Sequence, residues 1–357
     1  MKIGIIGLPQ TGKKTLFELL TGHKPTENEL ASKKPVKAVA EIKDPRFDFL
    51  AALYKPKKEA RARIDIEMLP KLEKDAIVKG DIFADISELD AICHVVRAFK
   101  DDSIYHAEGS VDPERDISSV NSELILHDLL FIEKRMENID KKIKRAQEEA
   151  ATKEKEVLGK MKAHLEKELP LRLLKLSPEE YKIVSNYPFA TRKSLIIALN
   201  ISEEGLNDTT LSEKLRQDNK LSGVDIMQVS AKVECDIAGI ESEQEREEFL
   251  EELSIKEPAI NTLARLCIKA LDLISFFTVG PDEVKQWPVR SGATAPEAAG
   301  TIHSDMQKGF IRAEVIKHAD FVALGSEAKA KEAGKLYLKG KDYIVEDGDM
   351  LNIRFNV

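Results

Sequence analysis

The stretch 7–15, GLPQTGKKT, is where residue types and spacing first suggest chemistry. Gly7, Gly12 and Lys13 fit G-x-x-x-x-G-K-[ST], the pattern of a phosphate-binding loop. Glycines let the backbone curl so that its N–H groups converge on phosphate oxygens. A following helix adds its positive end, and Lys13 adds a full charge. The pattern then asks for a hydroxyl to hold magnesium, but the chain has Lys14 there and Thr15 one residue late. The expected phosphate-binding set is Gly7, Pro9, Gln10, Thr11, Gly12, Lys13, Lys14 and Thr15. Lys14 is either a substitute for the metal, two adjacent lysines neutralising a diphosphate, or a side chain turned to solvent. A bare glycine turn between a strand and a helix is the bland alternative.

Two short motifs follow at a distance. "LIIALNISEE" ends a strand in Asn200, with Ile201 and Glu203 behind it, where P-loop GTPases place N-K-x-D. In that motif the acid takes two hydrogen bonds from guanine and the lysine packs over the base. Here Ile201 stands in the lysine position and the acid is the longer Glu203, which matches guanine poorly, while Asn200 can still pair with a purine edge. Ser230-Ala231-Lys232 matches the S-A-K base-contact loop of the same class. The expected base-binding set is Asn200, Ile201, Glu203, Ser230, Ala231 and Lys232. Each motif is weak alone; their order behind a phosphate loop is specific.

The elements needed to position these residues are legible. "KIGIIG" reads as a buried strand, and "KKTLFELLTG" as a helix through Leu16, Phe17, Leu19 and Leu20 that stops at Gly22. "VKAVAEI", "ARIDIEML", "AICHVVRAF", "SLIIALN" and "VDIMQVSAK" are strand-like segments between helical or loop stretches, which predicts an α/β sheet. From about Leu124 to Tyr181 the texture changes. Leu129, Ile132, Met136, Ile139 and Ile143 form one apolar stripe, and Leu158, Met161 and Leu165 another. Two long amphipathic helices in an antiparallel hairpin account for both, with the charges between them a solvated face. "EREEFLEEL" and "AINTLARLCIKALDLI" read as helices. After Phe276 come short strands with glycine turns, including 340–342 and 347–349.

Composition bounds the rest. At 357 residues two or three domains are expected. A net charge of −8 argues against a wholesale nucleic-acid coat but leaves room for local basic patches such as "KKPVK" and "KPKKEARAR". Cys93, Cys235 and Cys267 are widely spaced, without a CxxC pair, which fits a reducing cytoplasm and neither a disulfide framework nor a zinc site. Cys93 and Cys235 read as ordinary buried thiols, and His94 as a structural strand residue. The N-terminal apolar run leads straight into the glycine loop, so it reads as a strand and not a signal peptide, and no run approaches the ~20 residues of a membrane span.

The whole chain resembles the YchF type of Obg-like ATPase, within the Obg-related GTPases. Besides the loop, the resemblance rests on "AEIKDPRFDFLAALYKPKK", "SELDAICHVVRAFKDDSIYHAEGSVDPERDI", the N-x-x-E of "NISEE", "APEAAGTIHSDMQKGFIRAEVI" and "GKDYIVEDGDMLNIRFNV". It implies an α/β P-loop NTPase fold: a Ras-like G domain over 1–127 and 190–275, an inserted helical hairpin or coiled coil over 128–189, and a β-rich, ubiquitin-like TGS domain over 276–357. It also implies ATP (or ADP) bound in preference to GTP (or GDP), slow hydrolysis, and association with the ribosome or RNA, in a cytoplasmic protein read here as a monomer with no membrane partner. His106 matches a loop histidine proposed in that family to position the attacking water; a surface-loop histidine is the alternative.

The chain departs from the family pattern where metal would be held. Gln10 replaces Asn, Lys14 replaces Ser, and Ala38 falls where the first switch has glycine. In the family's register the magnesium-directing Asp of D-x-x-G falls on Met68 and the Gly on Lys71. A P-loop site holds Mg2+ through the loop hydroxyl and, often by way of water, the strand-end Asp. No metal ligand is therefore expected. Three functions stay open: a purine-nucleotide-binding regulator with weak or absent hydrolysis, an active ATPase or GTPase with a metal site rebuilt around Asp65 or Glu67, and a nucleotide-free RNA- or ribosome-binding scaffold.

Overall fold

The computed structural model describes residues 1–32, 34–72, 82–106, 108–143 and 149–356. Lys33 of "KKPVK" and residues 73–81, which follow Lys71 closely, lie outside them. In chain order the first elements are β1 (Lys2–Ile6), α1 (Lys13–Thr21), α2 (Glu27–Ala31), β2 (Val36–Glu41), α3 (Pro45–Tyr54), β3 (Lys58–Ala60), β4 (Arg63–Met68), α4 (Phe83–Ser87) and β5 (Ala91–Arg97). The long helices α5 (Pro113–Ile143) and α6 (Glu149–Leu165) follow, then α7 (Pro178–Val184), β6 (Ser194–Asn200), α8 (Thr210–Arg216), β7 (Asp225–Val229), α9 (Ala231–Gly239), α10 (Glu243–Glu252) and α11 (Ala259–Ala270). The C-terminal part holds β8 (Leu273–Thr278), β9 (Glu283–Arg290), α12 (Ala295–Ile302), α13 (Ser304–Lys308), β10 (Phe310–Lys317), α14 (His318–Leu324), α15 (Glu327–Glu332), β11 (Tyr337–Lys339) and β12 (Asp349–Phe355). No described helix is long and apolar enough to cross a membrane.

The chain divides into two compact units, residues 1–38 with 65–263 and residues 39–64 with 264–357. The first carries a sheet in the order β2-β4-β1-β5-β6-β7, with β4, β1, β5, β6 and β7 parallel. Strands β5 and β6 are apolar and buried along nearly their whole length, as helices on both faces of a parallel sheet require. The loop between β1 and α1 therefore sits at the carboxyl ends of parallel strands, where open α/β sheets bind ligands.

The two predicted apolar stripes meet in α5 and α6. Ile132, Ile139, Leu158, Met161 and Leu165 are buried in one cluster, with Leu129, Met136 and Ile143 packed against it. The ion pairs Glu133–Lys162 and Asp140–Lys155 descend one helix as they climb the other, which makes the hairpin antiparallel, and Arg135 pairs with Glu154 between the same two helices. Asp128, fully buried, anchors the hairpin to the chain's return. Its carboxylate accepts from Ala190 N (3.0 Å), Thr191 N (2.9 Å) and Thr191 Oγ1 (2.6 Å).

The second unit contains more than the C-terminal strands. Its sheet runs β11-β10-β12-β8-β9-β3, so β3, within the basic run "KPKKEARAR", is a strand parallel to β9. Residues 39–64 were expected within the first domain, and contacts distant in sequence draw them into the second unit. Asp44 caps α3, Pro45 starts it, and Arg46 forks between Asp44 and Asp347, 2.8 Å from each. Helix α11 also ends earlier than "AINTLARLCIKALDLI" suggests. Asp272 is left-handed at φ 52°, and the chain turns there into β8.

Candidate functional site

The phosphate loop is built as its residues dictate. Gly12 adopts φ 87° at the start of α1, a conformation that side chains rarely take. A Cβ there would lie 2.2 Å from Asn200 Nδ2. Gly7 is tight for another reason: a Cβ would lie 2.7 Å from Val95 O of β5. Gln10 is left-handed too (φ 62°), and Thr11 Oγ1 donates to Leu8 O at 3.1 Å, closing the loop on itself.

The loop walls a cavity of about 420 Å³, within the size range of small-molecule sites. Pro9, Gln10, Thr11, Gly12, Lys13, Lys14 and Thr15 all line it; Gly7 does not. The opposite wall is 68–71, the end of β4 and the residues after it, and Lys34 and Val36 close one side. Lys13 is buried, and its Nζ donates to Leu69 O (2.7 Å) and Pro70 O (2.8 Å). Burial, with the nearby Lys71 ammonium, lowers its pKa from 10.5 to about 7. The same burial, and Lys13 itself, push the pKa of His94 down to about 4. His94 is buried in β5, as expected of a structural residue.

Lys14 reaches outward. Its Nζ lies 3.5 Å from Glu18 Oε1 one helical turn on, with nearly half the side chain exposed. Residue 68 is Met, buried at the strand end. The acids weighed as a rebuilt metal site are elsewhere. Asp65 lies 3.7 Å from the N-terminal amine, and buried Glu67 lies 3.3 Å from both Lys2 and Lys37. Neither lines the cavity. Among the described residues no group of three or more His, Cys, Asp or Glu gathers. Amine and thioether side chains occupy the positions where a magnesium site needs oxygen donors, so these residues do not fit that ion.

Asn200 joins the two halves of the site. Its Nδ2 donates to Thr11 O and its Oδ1 accepts from Ala231 N, both at 3.0 Å in a buried setting. The phosphate loop and the 230–232 loop are thus one hydrogen-bonded piece, and one amide hydrogen of Asn200 remains. Ser230 caps α9, and Ile201 is buried with its N–H on Val229 O at 2.9 Å. Glu203 and Lys232 stand exposed, 3.8 Å apart. His106 is buried and does not line the cavity. Its Nδ1 accepts from Glu108 N at 3.1 Å, and its Nε2 lies 3.3 Å from Asp116 Oδ2. Arg97, buried in β5, holds the adjoining loop by donating to the carbonyls of Phe99, Asp101, Ile104 and Tyr105.

Cys235, expected to be buried, is exposed. It lies about 200° around α9 from the buried positions Val233 and Ile237, and so faces out. Cys93 is buried, which pushes its thiol up to about 12. Sequence reasoning missed two cavity lysines and the two backbone carbonyls that Lys13 meets. Lys34 and Lys71 stood in the switch segments, where the comparison was with lost glycines, and a backbone acceptor has no signature in sequence.

Residues 273–356 match the family model YchF-GTPase_C, described as a protein of unknown function (DUF933). The chain is 39% identical over 364 residues to the Ribosome-binding ATPase YchF of Bacillus subtilis (strain 168), covering 99% of each chain. It is 40% identical over 363 residues to that of Escherichia coli O157:H7, covering 100% of this chain and 99% of the relative. Among solved structures, the Schizosaccharomyces pombe YchF GTPase matches with a TM-score of 0.85 at 30% identity, over 99% of this chain and 97% of that one. A GTP binding protein from Pyrococcus horikoshii OT3 shares the fold at a TM-score of 0.61. With relatives aligned end to end and one architecture throughout, this chain belongs to the YchF family.

Proposed function

We propose that this chain is a purine-nucleotide-binding regulator that favours ATP over GTP, turns it over slowly or not at all, and works in association with the ribosome. The observation that carries this reading is the joint made by Asn200. It holds the phosphate loop and the Ser230-Ala231-Lys232 loop in one rigid arrangement, so that phosphate and base contacts are presented together. The base contacts in this reading are Asn200, Ile201, Glu203, Ser230, Ala231 and Lys232, and the phosphate contacts are 7–15. Glu203 favours adenine by being too long for the paired contact a shorter acid makes with guanine. Slow turnover follows from chemistry, since phosphoryl transfer depends on positioned donors and metal charge, and Lys14 and Met68 offer no oxygen donors. His106 is a structural residue in this account, because Glu108 N and Asp116 occupy its ring nitrogens. The ribosomal role rests on the relatives, which are named as ribosome-binding ATPases.

A nucleotide-free RNA scaffold is less well supported. The basic run it would use is largely paired: Lys57 with Asp282, Lys58 with Glu283, Arg61 with Asp48 and Arg63 with Glu41. The deciding experiment denatures the purified protein, identifies any released nucleotide, and then titrates ADP, ATP, GDP and GTP. Adenine nucleotides should bind at least about tenfold more tightly than guanine ones, a difference of about 1.4 kcal/mol. The reading fails if none of the four binds or if GTP binds best. Rapid magnesium-dependent turnover abolished by Lys13→Ala would point instead to the active ATPase.

A further inference from the structure

We propose that the phosphate cavity neutralises its nucleotide with lysine ammonium groups in place of a divalent cation, Lys14, Lys34 and Lys71 supplementing Lys13. The inference rests on reading the cavity as a nucleotide site and specifies how that site handles charge. Among the described residues four lysines line the cavity and one carboxylate, Glu29. Glu29 is already committed: its Oε2 accepts from Thr26 N and Thr26 Oγ1, both at 2.8 Å, in the capping box of α2, and its Oε1 lies 3.3 Å from His23. Among the described lining residues ammonium groups outnumber carboxylates, and an added dication would be repelled by the lysines around it.

The positions that would hold a cation are also the ones that have changed. The residue after Lys13 is Lys14, and the strand end facing the loop is buried Met68. Thr15 still carries a hydroxyl, but one residue further on it is turned about 100° around the helix. Lys14 comes from α1 and Lys71 from the segment after β4, so lysines from two separate elements line the cavity, and Lys14 would leave Glu18, 3.5 Å away, to meet an anion there. Lys13 now donates to Leu69 O and Pro70 O and needs only to exchange these carbonyls for phosphate oxygens. Its depressed pKa has two causes, its own burial first and the nearby Lys71 ammonium second.

The test is calorimetric titration of the full chain with ADP and with ATP, in EDTA and in magnesium. The dissociation constant in EDTA should be equal to that in magnesium within about threefold, or lower. Lys14→Gln combined with Lys71→Gln, both at exposed positions, should weaken binding in EDTA by at least about tenfold with the circular dichroism spectrum unchanged. Lys14→Ser with Met68→Asp should create a magnesium dependence that the parent lacks. Magnesium tightening binding to the parent chain by tenfold or more overturns the inference and leaves the nucleotide reading standing. Unchanged affinity in the Lys14→Gln, Lys71→Gln chain also overturns it. Absence of binding in both conditions overturns the inference and the nucleotide reading together.

Discussion

Replacing Asn200 with Ala tests the site at its joint. The side chain is buried and makes two hydrogen bonds, to Thr11 O and from Ala231 N. Its removal strands a buried acceptor and a buried donor at once. Each such loss costs about 1–3 kcal/mol. The Thr11 carbonyl has a second lone pair, and a water can enter the space vacated, so the lower half of that range applies. A destabilisation of about 2–4 kcal/mol is expected, read as a lower urea midpoint at an unchanged slope. Asn200→Asp should do no better, because a carboxylate still accepts from Ala231 N but faces Thr11 O with no proton to offer. Nucleotide affinity should fall by about tenfold or more, since the two loops would no longer be held in register. Stability within about 0.5 kcal/mol of the parent, with affinity unchanged, would refute the role given to this residue.

Two further outcomes follow from buried ionisable groups. Lys13 has a folded pKa of about 7 against an ordinary 10.5, so between these values the unfolded chain holds a proton that the folded chain lacks. Its contribution therefore favours folding more strongly as pH rises through that window. A bound phosphate should restore the ammonium. Calorimetry at about pH 8, in buffers of different ionisation enthalpy, should show proton uptake on binding that disappears by about pH 6, and no uptake at the higher pH would be the contrary result. Asp128→Ala should cost about 3 kcal/mol by urea unfolding, because it leaves the buried N–H groups of Ala190 and Thr191 without an acceptor; an unchanged midpoint would deny it the anchoring role.

Much of the molecule was legible because its signals are local. A parallel strand buried on both faces is an unbroken apolar run, as 195–199 shows, and a helix packed along one face repeats its apolar residues, as Ile132, Met136 and Ile139 do. Boundaries decided by distant contacts were harder. Nothing between residues 39 and 64 announces that Arg46 will bond to a carboxylate some three hundred residues away. The end of α11 turned on one left-handed residue, Asp272, at a position where the apolar pattern simply continues.

The site divides along the same line. Residue types and spacing alone determined the glycine loop, the lysine pair at 13 and 14, the missing hydroxyl, and the Asn200 and Ser230 motifs, because each is a matter of neighbours in the chain. Tertiary structure decided what those residues meet. Sheet order sets β4 beside β1, which brings Leu69 O and Pro70 O onto Lys13 and carries Lys71 to the cavity. Parallel pairing of β6 with β7 brings Asn200 against Ala231, so that a residue expected to read a base spends two of its hydrogen bonds holding the loops together. Charge and hydrogen bonding act through space, and the residues that share this cavity lie tens of positions apart along the chain.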